Sequence, residues 1–297
     1  MWYTGKKQKE AALTKTDKKI IWLWIALAFA ILLSVATITT ALLLTRQPQQ
    51  APAPETEPTT ETTPTTLPPP VANTLGPEDF IYENGYLTCT AAESRLGIDV
   101  SKHQGVIDWQ AVKNAGITFA IIRVAGRGYG EAGALYTDEY ALRNYRGAKA
   151  VGIDVGVYFF SQAITAEEAR EEARYTLRVI DGWDLDMPVV YDWEVIENDV
   201  ARTDGLDPRI VTDCMLAFCD EIEKAGRTPM VYFNPVNVQQ TFYIEEVTQY
   251  KFWLAFYTDW MTFPYEVNMW QYTCTGSVPG ISGKVDLNLL FPESIKG

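Results

Sequence analysis

The chain has 297 residues, 12% of them aromatic, with nine Trp and sixteen Tyr, and a formal net charge of -13. The charge is unevenly divided: residues 1–45 hold six Lys against Glu10 and Asp17, a balance of +4, while the remainder holds 19 basic and 36 acidic side chains, a balance of -17. An outer part this acidic argues against nucleic acid and against docking on anionic lipid, and the length suits a membrane segment plus one domain of moderate size.

In chain order, the first feature is an uncharged run, Ile20 to Thr45. About 20 apolar residues cross a bilayer, so the run is long enough for a transmembrane helix. Lys6, Lys7, Lys9, Lys15, Lys18 and Lys19 precede it and only Arg46 follows closely. The positive-inside rule then makes residues 1–19 a cytoplasmic tail and puts the bulk outside, as a single-pass protein of the cell membrane. The rival is a cleaved signal peptide ending near Ala51-Pro52-Ala53, but a signal's apolar core is usually only ~7–15 residues. Residues 46–80 form a linker whose 47–76 stretch is dominated by Pro and Thr with interspersed Glu. Such a run buries little apolar area and stays extended, a disordered stalk of up to ~90 Å.

Residues 81–297 read as one domain. Short apolar runs near 96–100, 118–124, 153–160, 188–194, 229–234, 252–257, 267–272 and 284–288 are expected strands. Helices fall between the first five: one opening at Asp108-Trp109, one over Thr137–Ala150, one capped at Thr165 with Glu168, and one begun by Asp207-Pro208 and ended at Gly226. Pro235–Tyr250 is a weaker helix, and the last three strands are too closely spaced for full helices between them. Strands alternating with helices imply a parallel sheet, and eight of them suggest a closed barrel of the α/β class, with its ligand site at the strands' C-terminal ends.

The most informative run is Pro188-Val189-Val190-Tyr191-Asp192-Trp193-Glu194. A strand points residues i and i+2 the same way, so Asp192 and Glu194 share a face with Cβ atoms on the order of 6–7 Å apart. Carboxyls held that close repel, and one stays protonated near neutral pH, as glycosidic cleavage requires. Asp99 in Leu96–Val100 and Asp286 in Lys284–Asn288 repeat the plan of an acid inside a short apolar stretch. Barrel closure brings Asp99 beside Asp286 and aims all of these acids at one mouth. Asp154 begins a strand and belongs at the opposite end. Tyr158, Tyr232, Trp253, Tyr257, Trp270 and Tyr272 lie where they could face the mouth; sugar rings rest their CH faces on such rings. The lone His103 reads as a loop-ordering hydrogen-bonder. Cys89, Cys214, Cys219 and Cys274 lack zinc-ligand spacing and read as buried or free thiols, so no metal is expected.

Gly97-Ile98-Asp99-Val100-Ser101-Lys102-His103-Gln104-Gly105, with Ile107-Asp108-Trp109 after it, resembles the opening of the glycoside hydrolase family 25 lysozymes, the N-acetylmuramidases of the Chalaropsis type. Tyr191-Asp192-Trp193-Glu194 is similar to their Asp-X-Glu motif, Phe252–Tyr257 to their sixth strand, and Trp270-Gln271-Tyr272 and Val285-Asp286-Leu287-Asn288 to the closing ones. The resemblance covers about residues 95–291. It implies a TIM-like (β/α)5(β)3 barrel that cuts the β-1,4 bond between N-acetylmuramic acid and N-acetylglucosamine in peptidoglycan glycan strands, without a cofactor. It implies Glu194 as general acid, Asp192 or Asp99 assisting, Asp286 tuning its neighbours, and Tyr158, Tyr232, Trp253, Tyr257, Trp270 and Gln271 as substrate contacts. One departure is visible: many relatives read Tyr-His-Phe where this chain has Tyr158-Phe159-Phe160, which removes a polar group expected near the groove. The alternatives are a wall-binding module without catalysis and a barrel hydrolase acting on another glycan. Oligomeric state is unmarked.

Overall fold

The computed structural model describes residues 69–235 and 241–292. The chain divides into two compact units, 1–63 and 64–297. The expected N-terminal tail, the apolar run over 20–45 and most of the expected linker lie outside the described residues. Among the described residues, no helix is long and apolar enough to cross a membrane.

Among the described residues eleven strands are present: β1 (Phe80–Glu83), β2 (Tyr86–Cys89), β3 (Arg95–Val100), β4 (Phe119–Arg127), β5 (Leu135–Thr137), β6 (Asp154–Ser161), β7 (Val189–Trp193), β8 (Pro229–Phe233), β9 (Lys251–Ala255), β10 (Met269–Gly276) and β11 (Val285–Leu290). The α-helices among the described residues include α1 (Trp109–Asn114), α2 (Ala141–Ala150), α3 (Ala166–Val179) and α4 (Pro208–Lys224). The capping residues act as expected. Asp108 accepts from the Ala111 N–H, Thr165 from the Glu168 N–H and Asp207 from the Arg209 N–H, each meeting a donor that the helix start leaves unpaired. The Glu168 carboxylate reaches back to the N–H of Ile164, one residue before the cap.

Eight strands close a barrel in the order β3-β11-β10-β9-β8-β7-β6-β4, with β4 returning to β3 and β5 added at the end of β4. The strands from β3 round to β10 pair in parallel, whereas β11 is antiparallel to both of its neighbours. An all-parallel barrel is therefore not what forms. A parallel crossover takes roughly a dozen residues or more, and the 277–284 connection is shorter, so β11 must run back down.

Alternation sorts each strand into an inner and an outer set. Phe119, Ile121, Val190, Met230, Trp253, Met269 and Leu290 fill the lower barrel interior. Gly97 makes room for this packing, because a Cβ there would sit 2.3 Å from the Phe119 ring. Outward residues such as Ile122, Phe159 and Tyr191 join the layer beneath the helices. The four cysteines are unpaired, with Cys274 exposed and the others buried.

The hairpin β1–β2 packs on the outer face of β10, turning at Asn84-Gly85, both with positive φ as a tight two-residue hairpin turn requires. Phe80 meets the Trp270 ring edge-on at 5.2 Å, and the Leu87 N–H donates to the Tyr272 hydroxyl at 3.4 Å. Just before it, Ala72 bridges Tyr265, and the Asn73 amide donates to the carbonyls of Met261 and Phe263, so residues from 71 onward already hydrogen-bond to the barrel unit. Phe80→Ala should cost about 3–5 kcal/mol of stability, read from denaturant unfolding, because it empties this packed layer. Ile81→Ala, on the exposed face of the same strand, should stay within about 0.5 kcal/mol.

Candidate active site

At the end of the barrel where the parallel strands finish, the inward positions are polar. β3 supplies Asp99, β4 Arg123, β7 Asp192, β10 Gln271 and β11 Asn288 and Asp286. Asp286 reaches this end from the start of its strand, since β11 runs the other way. The ladder sets Asp286 directly opposite Asp99. Two like charges so placed repel, which burial intensifies.

Asp99 is buried and its Oδ2 accepts two hydrogen bonds of 2.8 Å, from the side-chain amides of Gln271 and Asn288. Both amides are held from behind. The Trp253 indole N–H, which can only donate, gives a 2.8 Å bond to Asn288 Oδ1 and so fixes which way that amide faces. Tyr257 donates to Gln271 Oε1 at 2.9 Å, and the Tyr232 hydroxyl stands 3.3 Å from the same oxygen, its single proton shared between that amide and Glu194. Burial and the nearby Asp286 raise the Asp99 carboxyl well above its ordinary range, and the two amides only partly offset this.

Asp192 is buried, and burial, followed by the adjacent Glu194, raises its carboxyl well above the usual range. Glu194 lies one residue beyond β7. It meets solvent, yet the protein packed around it still raises its carboxyl, while hydrogen bonds from Asp192 and the Tyr232 hydroxyl pull the other way. A carboxyl–carboxyl hydrogen bond needs one shared proton, so Asp192 and Glu194 titrate as a pair. The Asp192 Oδ1 atom is buried with no hydrogen-bond partner among the described residues. Burial and Glu194 raise Asp286 to about 6.

Arg123 is the buried cation of this cluster, and its charge lowers the Asp192 carboxyl against the other influences. Asp138 holds it with a 2.8 Å bond to Nε and is itself anchored by the N–H groups of Lys102 and Tyr140. The sequence reading passed over both residues. An arginine inside the apolar run Phe119-Ala120-Ile121-Ile122-Arg123-Val124 carries the same signal as the acids, a charge placed where burial is costly. His103 lies in the loop after β3, where its N–H donates to Ser101 Oγ. Asp154 pairs with Arg95 at the opposite end of the barrel, as its position at a strand start implied.

The aromatic set divides. Tyr257 is 49% exposed and Tyr158 is half-buried with its ring 6.3 Å from that of Trp253. Tyr232 is buried at the foot of the groove. Trp253, 2% exposed, is enclosed in the barrel and supports Asn288, so it offers no open face to a sugar. Trp270 corrects the expectation outright: it is fully buried in the outer layer between Phe80 and Tyr272, and its indole N–H donates to the Phe256 carbonyl at 2.7 Å. It stands one residue from Gln271 in β10 and so points the opposite way. Phe159 likewise faces outward, packed near Phe218, so its replacement of a polar residue removes nothing from the groove. A cleft of about 680 Å³ opens beside Glu194, with Tyr129, Trp193, Tyr232, Phe242 and Tyr257 in its lining.

The model of the glycosyl hydrolases family 25 matches residues 98–281, a stretch that contains Asp99, Asp192 and Glu194 and stops just short of Asp286. The chain belongs to glycosyl hydrolase family 25. This family 25 chain is 29% identical over 197 residues to the autolytic lysozyme of Clostridium acetobutylicum, a match covering 65% of this chain and 54% of that protein. It is 30% identical over 203 residues to lysozyme M1 of Streptomyces globisporus, covering 65% and 66%. Among solved structures it resembles the bacterial lysozyme from Streptomyces coelicolor, with a TM-score of 0.55 and 28% identity over 66% of this chain and 91% of that one. It shares its fold with the modular autolysin LytC from Streptococcus pneumoniae, solved in complex with synthetic peptidoglycan ligand, at a TM-score of 0.59 and 23% identity over 71% and 51%. The matches therefore span only about half the length of the clostridial lysozyme and of the autolysin.

The raised carboxyl of Asp286 has a stability consequence. Between its unfolded pKa near 3.8 and its folded value of about 6, the folded chain holds a proton that the unfolded chain has lost, so stability falls as pH rises through this window. Asp286→Asn should therefore stabilise the protein at pH 7 by on the order of 1 kcal/mol after allowing for solvent screening at this half-buried site. The gain should vanish below about pH 4, where both states are protonated, as urea midpoints at the two pH values would register.

Proposed function

We propose that this chain is a lysozyme-type hydrolase that cuts the β-1,4 bond between N-acetylmuramic acid and N-acetylglucosamine in peptidoglycan glycan strands. The observation that carries the reading is the unequal exposure of a proton-sharing pair. Asp192 is buried, whereas Glu194 reaches the solvent of the cleft. The pair's proton therefore has one outlet, and Glu194 is the general acid that protonates the leaving glycosidic oxygen. Proton transfer leaves two ionised carboxylates beside the sugar as positive charge develops at its anomeric carbon, which stabilises the oxocarbenium-like transition state. Asp99, fixed by two amides, adds negative charge from the opposite wall, and Asp286 holds the local field. Tyr158, Tyr257 and Gln271 line the approach, and Tyr232 positions Glu194. The names of the relatives, an autolytic lysozyme and lysozyme M1, support the substrate class.

The apolar run over 20–45, flanked on its N-terminal side by six Lys, further favours a single-pass protein with its hydrolase unit outside the cell membrane and a Pro/Thr-rich stalk between them. Protease added to intact cells should then remove the hydrolase unit and leave the N-terminal segment with the membrane fraction. A chain recovered whole from the soluble fraction would overturn the anchor.

Glu194→Gln should lower release of reducing ends from purified peptidoglycan by at least about 10²-fold without loss of folded stability. Mass spectrometry of the wild-type products should find muramic acid at the new reducing ends. Glucosamine ends would assign the chain a different bond, and an active Gln variant would remove Glu194 from its role.

A further inference from the structure

The backbone ladder between β6 and β7 ends at the pair Ser161 and Trp193. The next backbone bond of the ladder would run from the Ala163 N–H to the Glu194 carbonyl, but the Ala163 N–H donates to Ser161 Oγ at 3.3 Å, so the carbonyl of the residue carrying the outermost acid is left for another donor. A side chain does the work instead. The Gln162 amide Nε2 donates to the Glu194 carbonyl at 3.1 Å, and its Oε1 accepts from the Thr203 hydroxyl at 2.8 Å. Gln162 is fully buried and Thr203 almost so. One amide thus clamps the start of the 194–207 loop and a point nine residues further along it.

Gln162 is itself held from below. Its N–H donates to the Glu172 carboxylate, which also accepts from Ser161 Oγ at 2.6 Å and pairs with Arg127 Nε at 2.7 Å. Glu172 and Arg127 belong to α3 and the end of β4, both rigid elements. The far side of the loop is tied to the same base: the Arg202 N–H donates to the Tyr129 carbonyl at 2.8 Å, and its guanidinium pairs with Glu168 at 2.7 Å. The loop that follows the acid is therefore fastened at both ends to one buried scaffold.

We infer that Gln162 is a positioning residue for Glu194: it extends the β6–β7 ladder by one step through its side chain and fixes the acid's backbone beyond the end of the strand. The inference rests on Glu194 acting as the acid. A carboxyl without this support would keep its chemistry but lose its aim, and a misplacement of about 1 Å is enough to cost on the order of 100-fold in rate.

The test uses the full-length chain and peptidoglycan solubilised as defined glycan fragments. Gln162→Met fills the site but neither donates nor accepts; it should lower kcat by about 10–100-fold and leave KM within about twofold. Gln162→Glu keeps the shape, and when protonated its carboxyl donates to the Glu194 carbonyl while still accepting from Thr203. This variant should approach wild-type kcat at acidic pH and lose it as the introduced carboxyl ionises, a pH limb absent from wild type. Thr203→Val leaves the Glu194 contact and should retain kcat within about threefold even where it lowers the melting temperature as much as the Met variant does. Wild-type kcat in Gln162→Met would overturn the inference. So would equal losses of kcat in the Met and Val variants at equal stability, or a Glu variant with no acidic recovery. A wild-type chain that releases no reducing ends would overturn the hydrolase reading first, and this one with it.

Discussion

Carboxyl groups gathered at one end of a barrel repel one another, and burial makes every charge harder to hold there. Asp99, Asp192, Glu194 and Asp286 are brought into that situation by strands from three separate parts of the chain, two of them neighbours in the sheet. Each of the four is raised above its ordinary range, led by burial for Asp99, Asp192 and Asp286 and by the protein packed around it for the solvent-reaching Glu194. The result is a mouth whose carboxyls hold protons more tightly than ordinary ones do. Such a site can give a proton to a neutral sugar linkage, and that chemistry depends on keeping the groups together despite their repulsion.

The surroundings divide that task. Amides held by Trp253, Tyr232 and Tyr257 pin Asp99 from one side. Arg123, itself held by Asp138, offsets the charge of Asp192 from another. Beneath the acids the barrel is apolar and close-packed, so the polar layer has a rigid floor. Several residues with the look of ligand contacts therefore serve the acids instead, and this is why Trp253 is enclosed. Stability is given up locally for a preorganised field, the usual exchange at a functional site.

Much of this was legible because strand periodicity is strict. The inward acids stand where charge interrupts an apolar run, and Arg123 does the same within Phe119–Val124. Strand parity already turns Trp270 outward, since Gln271 claims the inward position. The hairpin over 80–89 carried its own signal in Asn84-Gly85, a strong two-residue turn, but nothing in that stretch told what it would cover. Pairing of Glu168 with both Ile164 and Arg202 was equally hidden, because only one of those partners is near in sequence.

The chain by itself determined the number and order of the barrel strands, the cap positions, and which acids lie on inward faces, because these follow from local periodicity and short-range hydrogen bonding. Only the tertiary structure decided that β11 runs backwards so that its first inward residue meets the last inward residue of β3. Only it decided which amides hold Asp99, and that Gln162 extends a ladder the backbone had ended. Those outcomes depend on which side chains meet across long sequence separations, and the closing geometry of the barrel sets that where local preference cannot.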